Sequence, residues 1–190
     1  MRTSSPPERL RSLRIGSLKG FADRATRQLM GSLTHVVTRE SVGALTFDDG
    51  PDPEWTPQIL DALERHGARA TFFMVGKRAA SHPDLVHEVA VRGHALANHS
   101  WDHGPFTRMS TRQRWRQVMD TKRQLAPLGT RLFRPPRGHM NMQSRRDLLL
   151  MRYTPVMWNI AIEDWRTRCV KTMTSRLLSE IRPGCIVLLH

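Results

Sequence analysis

From residue 42 onward, short apolar segments alternate with amphipathic ones, and this alternation constrains the fold more than any other feature of the chain. Short apolar runs are typical of buried strands, whereas apolar residues at three-to-four-residue steps are typical of helices. Strands are predicted at residues 42–47, 70–75, 94–97, 132–133, 155–158 and 186–189. Helices are predicted at residues 56–66, 85–92, 111–125, 144–151 and 173–181. This series favours an α/β fold with a parallel sheet or barrel.

Residues able to do chemistry follow several of the predicted strands directly. In parallel α/β folds, catalytic and ligand-binding groups gather at the carboxyl ends of the strands. These positions are occupied by Asp48 and Asp49, Asn98 and His99, Arg134, the segment after Trp158, and His190. A chain of 190 residues is long enough for one domain with a substantial core. We therefore expect one active site at this edge of the sheet.

Two adjacent carboxylates, Asp48 and Asp49, stand between the first predicted strand and a Gly50-Pro51 turn. Their mutual repulsion is relieved if one carboxylate binds a cation while the other stays free as a base. An Asp-Asp-Gly sequence is also ordinary turn chemistry, because Asp and Gly both favour turns. The pair by itself leaves both interpretations open.

His99 and His103 are four residues apart, so that on a helical turn both imidazoles point to the same side and can bind one ion. With Asp49 they form a two-histidine, one-carboxylate set, which leaves room for water and substrate as a catalytic metal site requires. Asp48 is then the candidate base. In a chain with nine histidines the isolated pair is weak evidence, and its position at a strand end strengthens it.

Two further groups complete the candidate site. Arg134 begins an Arg-Pro-Pro-Arg-Gly turn, whose rigid prolines can hold one guanidinium against a carboxylate. The alternative for Arg134 and for Arg137 is a side chain solvated at the surface. A departing group must be protonated, and a histidine at a strand end suits that task near neutral pH. His190 is the candidate, and Asp164 can orient it.

Taken together, these residues resemble the five motifs of the NodB-type polysaccharide deacetylases, carbohydrate esterase family 4, in order and in spacing. The motifs are Thr46-Phe47-Asp48-Asp49-Gly50-Pro51, His99-Ser100-Trp101-Asp102-His103, Arg134-Pro135-Pro136-Arg137-Gly138, Glu163-Asp164-Trp165 and Leu188-Leu189-His190. The resemblance covers residues 42–190 and implies a distorted (β/α)7-type barrel. It also implies one divalent metal, usually Zn²⁺, with Co²⁺, Ni²⁺ or Mn²⁺ as alternatives. Relatives of this kind hydrolyse acetyl groups on carbohydrate, most often on N-acetylglucosamine polymers such as chitooligosaccharides or peptidoglycan.

The resemblance also implies a role for each matching residue. It makes Asp48 the general base and His190 the general acid. By the same resemblance, Asp49, His99 and His103 are the metal ligands. Arg134 holds the base in place, and Asp164 tunes the acid. Trp165 and Leu188 receive the acetyl methyl group, and Pro135 and Arg137 line the substrate groove. A backbone N–H near Arg137 helps to hold the oxyanion. The implied reaction is metal-assisted hydrolysis of an acetamide with release of acetate.

Three departures from the family pattern bear on substrate and completeness. Ala161 stands where the fourth motif often begins with an acidic residue. Arg137 replaces a common tyrosine, which makes the groove more cationic and favours an anionic or lipid-phosphate-linked substrate. The family normally continues past the final histidine, so we expect the domain at residues 41–190 to be truncated at its C-terminal end. Deformylation or O-deacetylation of a lipid-linked or anionic glycan therefore stays open, as does an inactive basic module that binds anionic polymer or membrane.

Residues 1–40 are predicted to form a basic tail followed by an amphipathic helix. Apolar residues recur at helical spacing from Leu10 to Leu29, with Arg and Lys mostly on other faces. This stripe can pack against the main domain, and the alternative is adsorption of residues 9–39 to an anionic membrane surface. The net charge of +13 favours polyanionic partners in general. Nucleic acid is an unlikely partner, because charge is its only support and just 6% of residues are aromatic.

The chain lacks an uninterrupted apolar stretch of about eighteen residues and a secretory-type apolar core. We therefore expect cytoplasmic residence, with possible attachment to the inner face of the membrane. Cys169 and Cys185 belong to no Cys-x-x-Cys pair, which argues against a disulfide framework and a cysteine metal site. Both are expected to be small core residues.

Overall fold

The computed structural model describes residues 14–16, 31–166 and 169–190, and its strands form one curved parallel sheet. The strands are β1 (Arg14–Gly16), β2 (Val42–Phe47), β3 (Ala70–Met74), β4 (Ala95–Asn98), β5 (Gly129–Phe133), β6 (Thr154–Pro155), β7 (Ile160–Ala161) and β8 (Ile186–Leu189). Their order is β6-β5-β4-β3-β2-β8-β7, and β1 pairs with the beginning of β2. Each described pair of strands is parallel. This architecture confirms the predicted α/β barrel.

Helices connect the strands and cover the outer face of the sheet. They are α1 (Trp55–Arg65), α2 (Gly76–Ser81), α3 (Pro83–Val91), α4 (Thr111–Leu125), α5 (Met142–Leu150) and α6 (Val170–Glu180), with short 3-10 turns at Phe106–Arg108 and Pro136–Gly138. Reciprocal capping fixes the start of α4, since Ser110 and Gln113 satisfy each other's backbone N–H groups. Asn141 and Ser144 do the same for α5.

The two faces of β2 explain why the site lies inside the barrel. Leu45 and Phe47 pack against the cluster of α1 and α3 residues on the outside of the sheet. Ala44 joins Phe73 and Ile186 in the interior cluster. Because successive side chains of a strand point to opposite faces, the even-numbered residues of β2 face the interior. Asp48, the next even-numbered residue, therefore continues the inward series just beyond the end of the strand.

The segment before β2, residues 33–36, is hydrogen-bonded to two separate parts of the sheet. The Leu33 N–H donates to the Pro155 carbonyl at 2.9 Å, and the Leu33 carbonyl accepts from the Met157 N–H at 2.8 Å. Three residues later, the Val36 N–H donates to the Gly184 carbonyl at 2.8 Å. Leu33 also packs on the interior cluster. The segment thus links the β6 side of the sheet to the turn before β8.

The amphipathic helix predicted from Leu10 to Leu29 is wrong at residues 14–16, which form a strand instead. These residues pair in parallel with Val42, Gly43 and Ala44. The edge of β2 supplies backbone partners that a helical period in the sequence does not reveal, so tertiary pairing overrides local preference. The rest of the predicted helix lies outside the described residues.

Other differences concern short elements. Of the strand predicted at residues 155–158, only Pro155 lies in β6, and β7 begins later, at Ile160. The helix α2 was not predicted because its sequence has no apolar period. Cys185 is buried as expected, whereas the prediction of a core position for Cys169 is wrong, because it is exposed. Among the described residues, no helix is both long enough and apolar enough to cross a bilayer.

Candidate metal centre and active site

The candidate site is built where β2, β4, β5 and β8 end. Asp48 and Asp49 follow β2, His99 follows β4, Arg134 follows β5, and His190 follows β8. The parallel sheet places all of these ends at the same edge, as the sequence predicts. The residues form two groups, one around Asp49 and one around His190, and a separate ion pair of Arg134 with Asp48.

The first group is a set of three ligand atoms gathered around the carboxylate of Asp49. Its Oδ1 lies 3.5 Å from Nε2 of His99 and 3.5 Å from Nε2 of His103. All three potential ligand atoms lie within 4.8 Å of one another. The same Oδ1 is buried and has no hydrogen-bond partner in the described part of the chain. A buried carboxylate oxygen without a partner, facing two imidazole nitrogens, fits a divalent cation such as Zn²⁺.

The orientation of His99 also suits a metal ligand. Its Nδ1 lies 2.8 Å from the Arg134 carbonyl oxygen, so Nδ1 carries the proton and the lone pair of Nε2 points toward Asp49. Burial lowers the pKa of His99 below its ordinary value, because desolvation disfavours the charged form more than Asp48 and Asp49 favour it. The neutral imidazole is the form that binds a metal.

The two histidines do not meet on a helical turn, and this part of the prediction is wrong. Residues 99–103 form a bent loop, in which Ser100 has φ 66° and His103 has φ 56°. The Oγ of Ser100 accepts from the His103 N–H at 3.2 Å and closes the loop. A spacing of four residues therefore brings the imidazoles together through a folded loop, with their ring centroids 4.8 Å apart.

Arg134 holds Asp48 inside the barrel. Its Nη1 donates to Asp48 Oδ1 at 2.7 Å and to Thr46 Oγ1 at 2.7 Å. Nη2 donates to the Met157 carbonyl at 2.9 Å, and the guanidinium stacks over Phe73 at 4.1 Å from the ring centroid. Burial lowers the pKa of Arg134, while the charge and hydrogen bond of Asp48 oppose that effect. The structure thus places this arginine against the carboxylate, as the resemblance implies.

The second group consists of His190, Asp164 and Trp165. Asp164 Oδ1 lies 3.1 Å from His190 Nδ1, and its Oδ2 accepts from the His190 backbone N–H at 2.6 Å. Partial burial lowers the pKa of His190, but the hydrogen bond and charge of Asp164, together with the charges of Asp48 and Asp49, outweigh it, so the pKa is raised overall. For Asp164, burial acts in the opposite direction and raises the pKa. The hydrogen bonds from His190 outweigh burial, so the pKa of Asp164 is lowered overall. The ring of Trp165 meets that of His190 edge to face at 4.7 Å.

The remaining predicted residues border these two groups. Leu188 is buried and sits opposite Thr46 in the β2–β8 register. Pro135 is buried at the start of the 3-10 turn, whereas Arg137 is exposed and has φ 56°. The turn therefore presents Arg137 to solvent.

Thr46 is a site residue that sequence reasoning missed. Its hydroxyl accepts from Arg134 and donates to the Val187 carbonyl at 2.6 Å, so it joins the arginine to β8. The available signal was its spacing of two residues from Asp48, which puts both on the inner face of one strand.

Sequence and structure comparisons relate this chain to known proteins. The family model described as polysaccharide deacetylase matches residues 35–156. The peptidoglycan-N-acetylglucosamine deacetylase PgdA of Listeria monocytogenes is 37% identical over 151 residues, which cover 77% of this chain and 32% of that protein. The chitooligosaccharide deacetylase of Rhizobium leguminosarum bv. trifolii is 37% identical over 153 residues, covering 77% of this chain and 69% of that protein.

A solved structure of the peptidoglycan deacetylase PdaC from Bacillus subtilis is similar in fold. It superposes with a TM-score of 0.72 at 35% identity, covering 77% of this chain and 73% of that one. This chain spans about a third of the length of the first curated relatives that it matches, at 32% for both PgdA and PdaC. The family match covers more than half of the chain, and the chain therefore belongs to the polysaccharide deacetylase family.

Proposed function

We propose that this chain is a metal-dependent hydrolase that removes N-acetyl groups from an N-acetylglucosamine-containing carbohydrate and releases acetate. The observation that carries the proposal is the buried Oδ1 of Asp49 between His99 and His103, which has no hydrogen-bond partner among the described residues. Directly beside it lies a second carboxylate, Asp48, which Arg134 holds separately. One carboxylate is thus arranged as a ligand and the other as a base.

Asp49, His99 and His103 would hold the ion, with Zn²⁺ as the first candidate and Co²⁺, Ni²⁺ or Mn²⁺ as alternatives. Imidazole and carboxylate donors suit all of these ions. In a hydrolase, such an ion supplies Lewis acidity toward a carbonyl oxygen and toward water. Three protein ligands leave room for a substrate at the same centre.

Asp48 is the proposed acceptor of a proton from the attacking water. Arg134 occupies its Oδ1, while its Oδ2 lies 3.7 Å from Nε2 of His99 and so faces the proposed metal centre. The ion pair fixes the direction of the carboxylate, which a general base requires. The same ion pair engages Asp48, so the role of metal ligand is left to Asp49.

His190 is placed to protonate the departing amine. Asp164 engages Nδ1 of its ring, which leaves Nε2 available to donate. A raised pKa keeps the ring protonated over more of the neutral range, as a general acid requires. Trp165 beside the ring and buried Leu188 at the end of β8 supply apolar surface for the acetyl methyl group.

The relatives' names support the substrate class. One is named for peptidoglycan N-acetylglucosamine and another for chitooligosaccharide. The exposed guanidinium of Arg137 next to the site favours a glycan that carries carboxylates, and peptidoglycan has such groups. We therefore place peptidoglycan first and chitooligosaccharide second.

Acetate release tests the proposal directly. Purified protein is incubated with N-acetylglucosamine oligomers or peptidoglycan in the presence of Zn²⁺, and acetate and formate are both quantified. Asp48→Asn should abolish release, whereas the exposed Asp84→Asn on α3 should leave it unchanged. If Asp48→Asn still releases acetate, the assignment of Asp48 as the base is wrong. If formate is the main product, the group removed is formyl and not acetyl.

A further inference from the structure

The loop that carries both histidines is held in a demanding backbone conformation. Ser100 and His103 both lie in the left-handed region, with φ values of 66° and 56°. A non-glycine residue persists in this strained region only where its surroundings enforce it. Contacts from outside the loop must therefore keep the imidazole of His103 near that of His99.

Gln117 on α4 supplies one such contact from the outer side of the loop. Its side-chain Oε1 accepts hydrogen bonds from the backbone N–H of Trp101 at 2.8 Å and of Asp102 at 3.1 Å. These are the N–H groups of the two residues immediately before His103. A single carboxamide oxygen thus fixes the segment that leads into the second histidine.

The opposite side of the loop is held by the start of α2. The Gly76 N–H donates to the Ser100 carbonyl at 2.9 Å, and the Lys77 N–H donates to the Trp101 carbonyl at 2.8 Å. The residue Trp101 is therefore held through its carbonyl by α2 and through its N–H by Gln117. While both contacts are present, the backbone of the loop at Trp101 has little freedom to shift.

The position of Gln117 is itself fixed by the core. Its neighbour Val118 is completely buried, and the Val118 carbonyl accepts from Asn98 Nδ2 at 2.9 Å. The Gln117 carbonyl accepts from the hydroxyl of Thr121 at 2.9 Å. The helix turn that carries the carboxamide is thus tied to the end of β4, where the loop begins.

We propose that Gln117 is a positioning residue for the metal centre, acting through the backbone of Trp101 and Asp102 on the direction of His103. The inference rests on the proposed metal site. Groups that orient metal ligands commonly account for about 10–100-fold in metal affinity. Both hydrogen bonds use the acceptor oxygen, which glutamate also has and methionine and alanine do not.

The test compares four variants of the full chain: Gln117→Met, which keeps the side-chain length, Gln117→Ala, Gln117→Glu, and the exposed Gln124→Ala on the same helix. The dissociation constant for Zn²⁺ is measured by competition with a chromophoric chelator. Circular dichroism of the metal-free proteins checks that each variant is folded. We expect Gln117→Met and Gln117→Ala to weaken Zn²⁺ binding about 10–100-fold. Gln117→Glu and Gln124→Ala should stay within about threefold of the original protein.

Three outcomes would overturn the inference, and they are distinguishable from one another. If the original protein binds Zn²⁺ and Gln117→Met binds it equally well, the metal centre stands and the role of Gln117 is wrong. If Gln117→Glu loses as much affinity as Gln117→Met, the acceptor oxygen is not the relevant feature. If the original protein binds no Zn²⁺, Co²⁺, Ni²⁺ or Mn²⁺, the proposed metal centre fails together with the inference.

Discussion

Arg134 donates a hydrogen bond from Nη1 to Oδ1 of Asp48 at 2.7 Å, and both side chains are almost completely buried. The contact crosses the interior of the barrel, because β3 and β4 lie between the strands that these residues follow. Buried charges are tolerated when they are paired and hydrogen-bonded. The pair therefore serves the site and the interior packing together.

Removing the guanidinium should damage stability as well as activity. We expect Arg134→Ala to lower the free energy of unfolding by about 3–5 kcal/mol, because Asp48 is left as a buried charge without its cation. Urea unfolding of the metal-free protein measures this loss. Arg123→Ala, which breaks an exposed pair with Asp120, should cost less than about 1 kcal/mol. Equal losses in the two variants would contradict the assigned burial of the Arg134–Asp48 pair.

The pH profile should depend on Asp164. The pKa of His190 is raised because Asp164, together with the charges of Asp48 and Asp49, outweighs the effect of burial. In Asp164→Asn the charge of residue 164 is gone while burial remains, so the pKa of His190 should fall. Since the proposed acid works in its protonated form, the alkaline limb of the kcat profile should move to lower pH. The acetate assay over pH, with NMR titration of the imidazole, measures both shifts. Asp84→Asn should leave the limb in place, and an unmoved limb in Asp164→Asn would remove His190 from the acid role.

Metal should stabilise the folded chain by mass action. Zn²⁺ at a thousandfold excess over its dissociation constant adds about 4 kcal/mol, which should raise Tm, and a chelator should reverse the rise. His103→Ala removes one of the three grouped ligand atoms and should lose most of this increase. His87→Ala, an exposed histidine on α3, should keep it. Thermal unfolding with and without Zn²⁺ is the measurement, and an equal rise in His103→Ala would place the metal elsewhere.

Arg137 should affect substrates according to their charge. Arg137→Asn removes the cation while retaining a residue that tolerates a φ of 56°. We expect KM for a carboxylate-bearing peptidoglycan fragment to rise about two- to fivefold, as for an exposed ion pair, with little change for an uncharged chitooligosaccharide. High salt should diminish the difference. Arg152→Asn is the matched control, because Arg152 is exposed with a φ of 60°. Identical effects on both substrates would rule out charge selection.

The parallel fold could be predicted because strand and helix periods repeat along residues 42–190, and each period reflects which side chains are buried. Element bounds were less predictable. β5 begins at Gly129, where alternate residues are exposed, and α2 has too few residues to show an apolar period. The strand at Arg14–Gly16 carries no signal of its own, because the edge of β2 provides its backbone partners.

By itself, the sequence determined which residues stand at the strand ends and, through the order of five motifs, the family to which the chain belongs. Only the tertiary structure decided how these residues act on one another. It set the contact of His99 Nδ1 with the Arg134 carbonyl, the anchoring of Arg134 by Thr46, and the hold of Gln117 on the histidine loop. Side-chain spacing reports burial within one segment, whereas hydrogen bonds between distant segments exist only after the barrel has brought their backbones together.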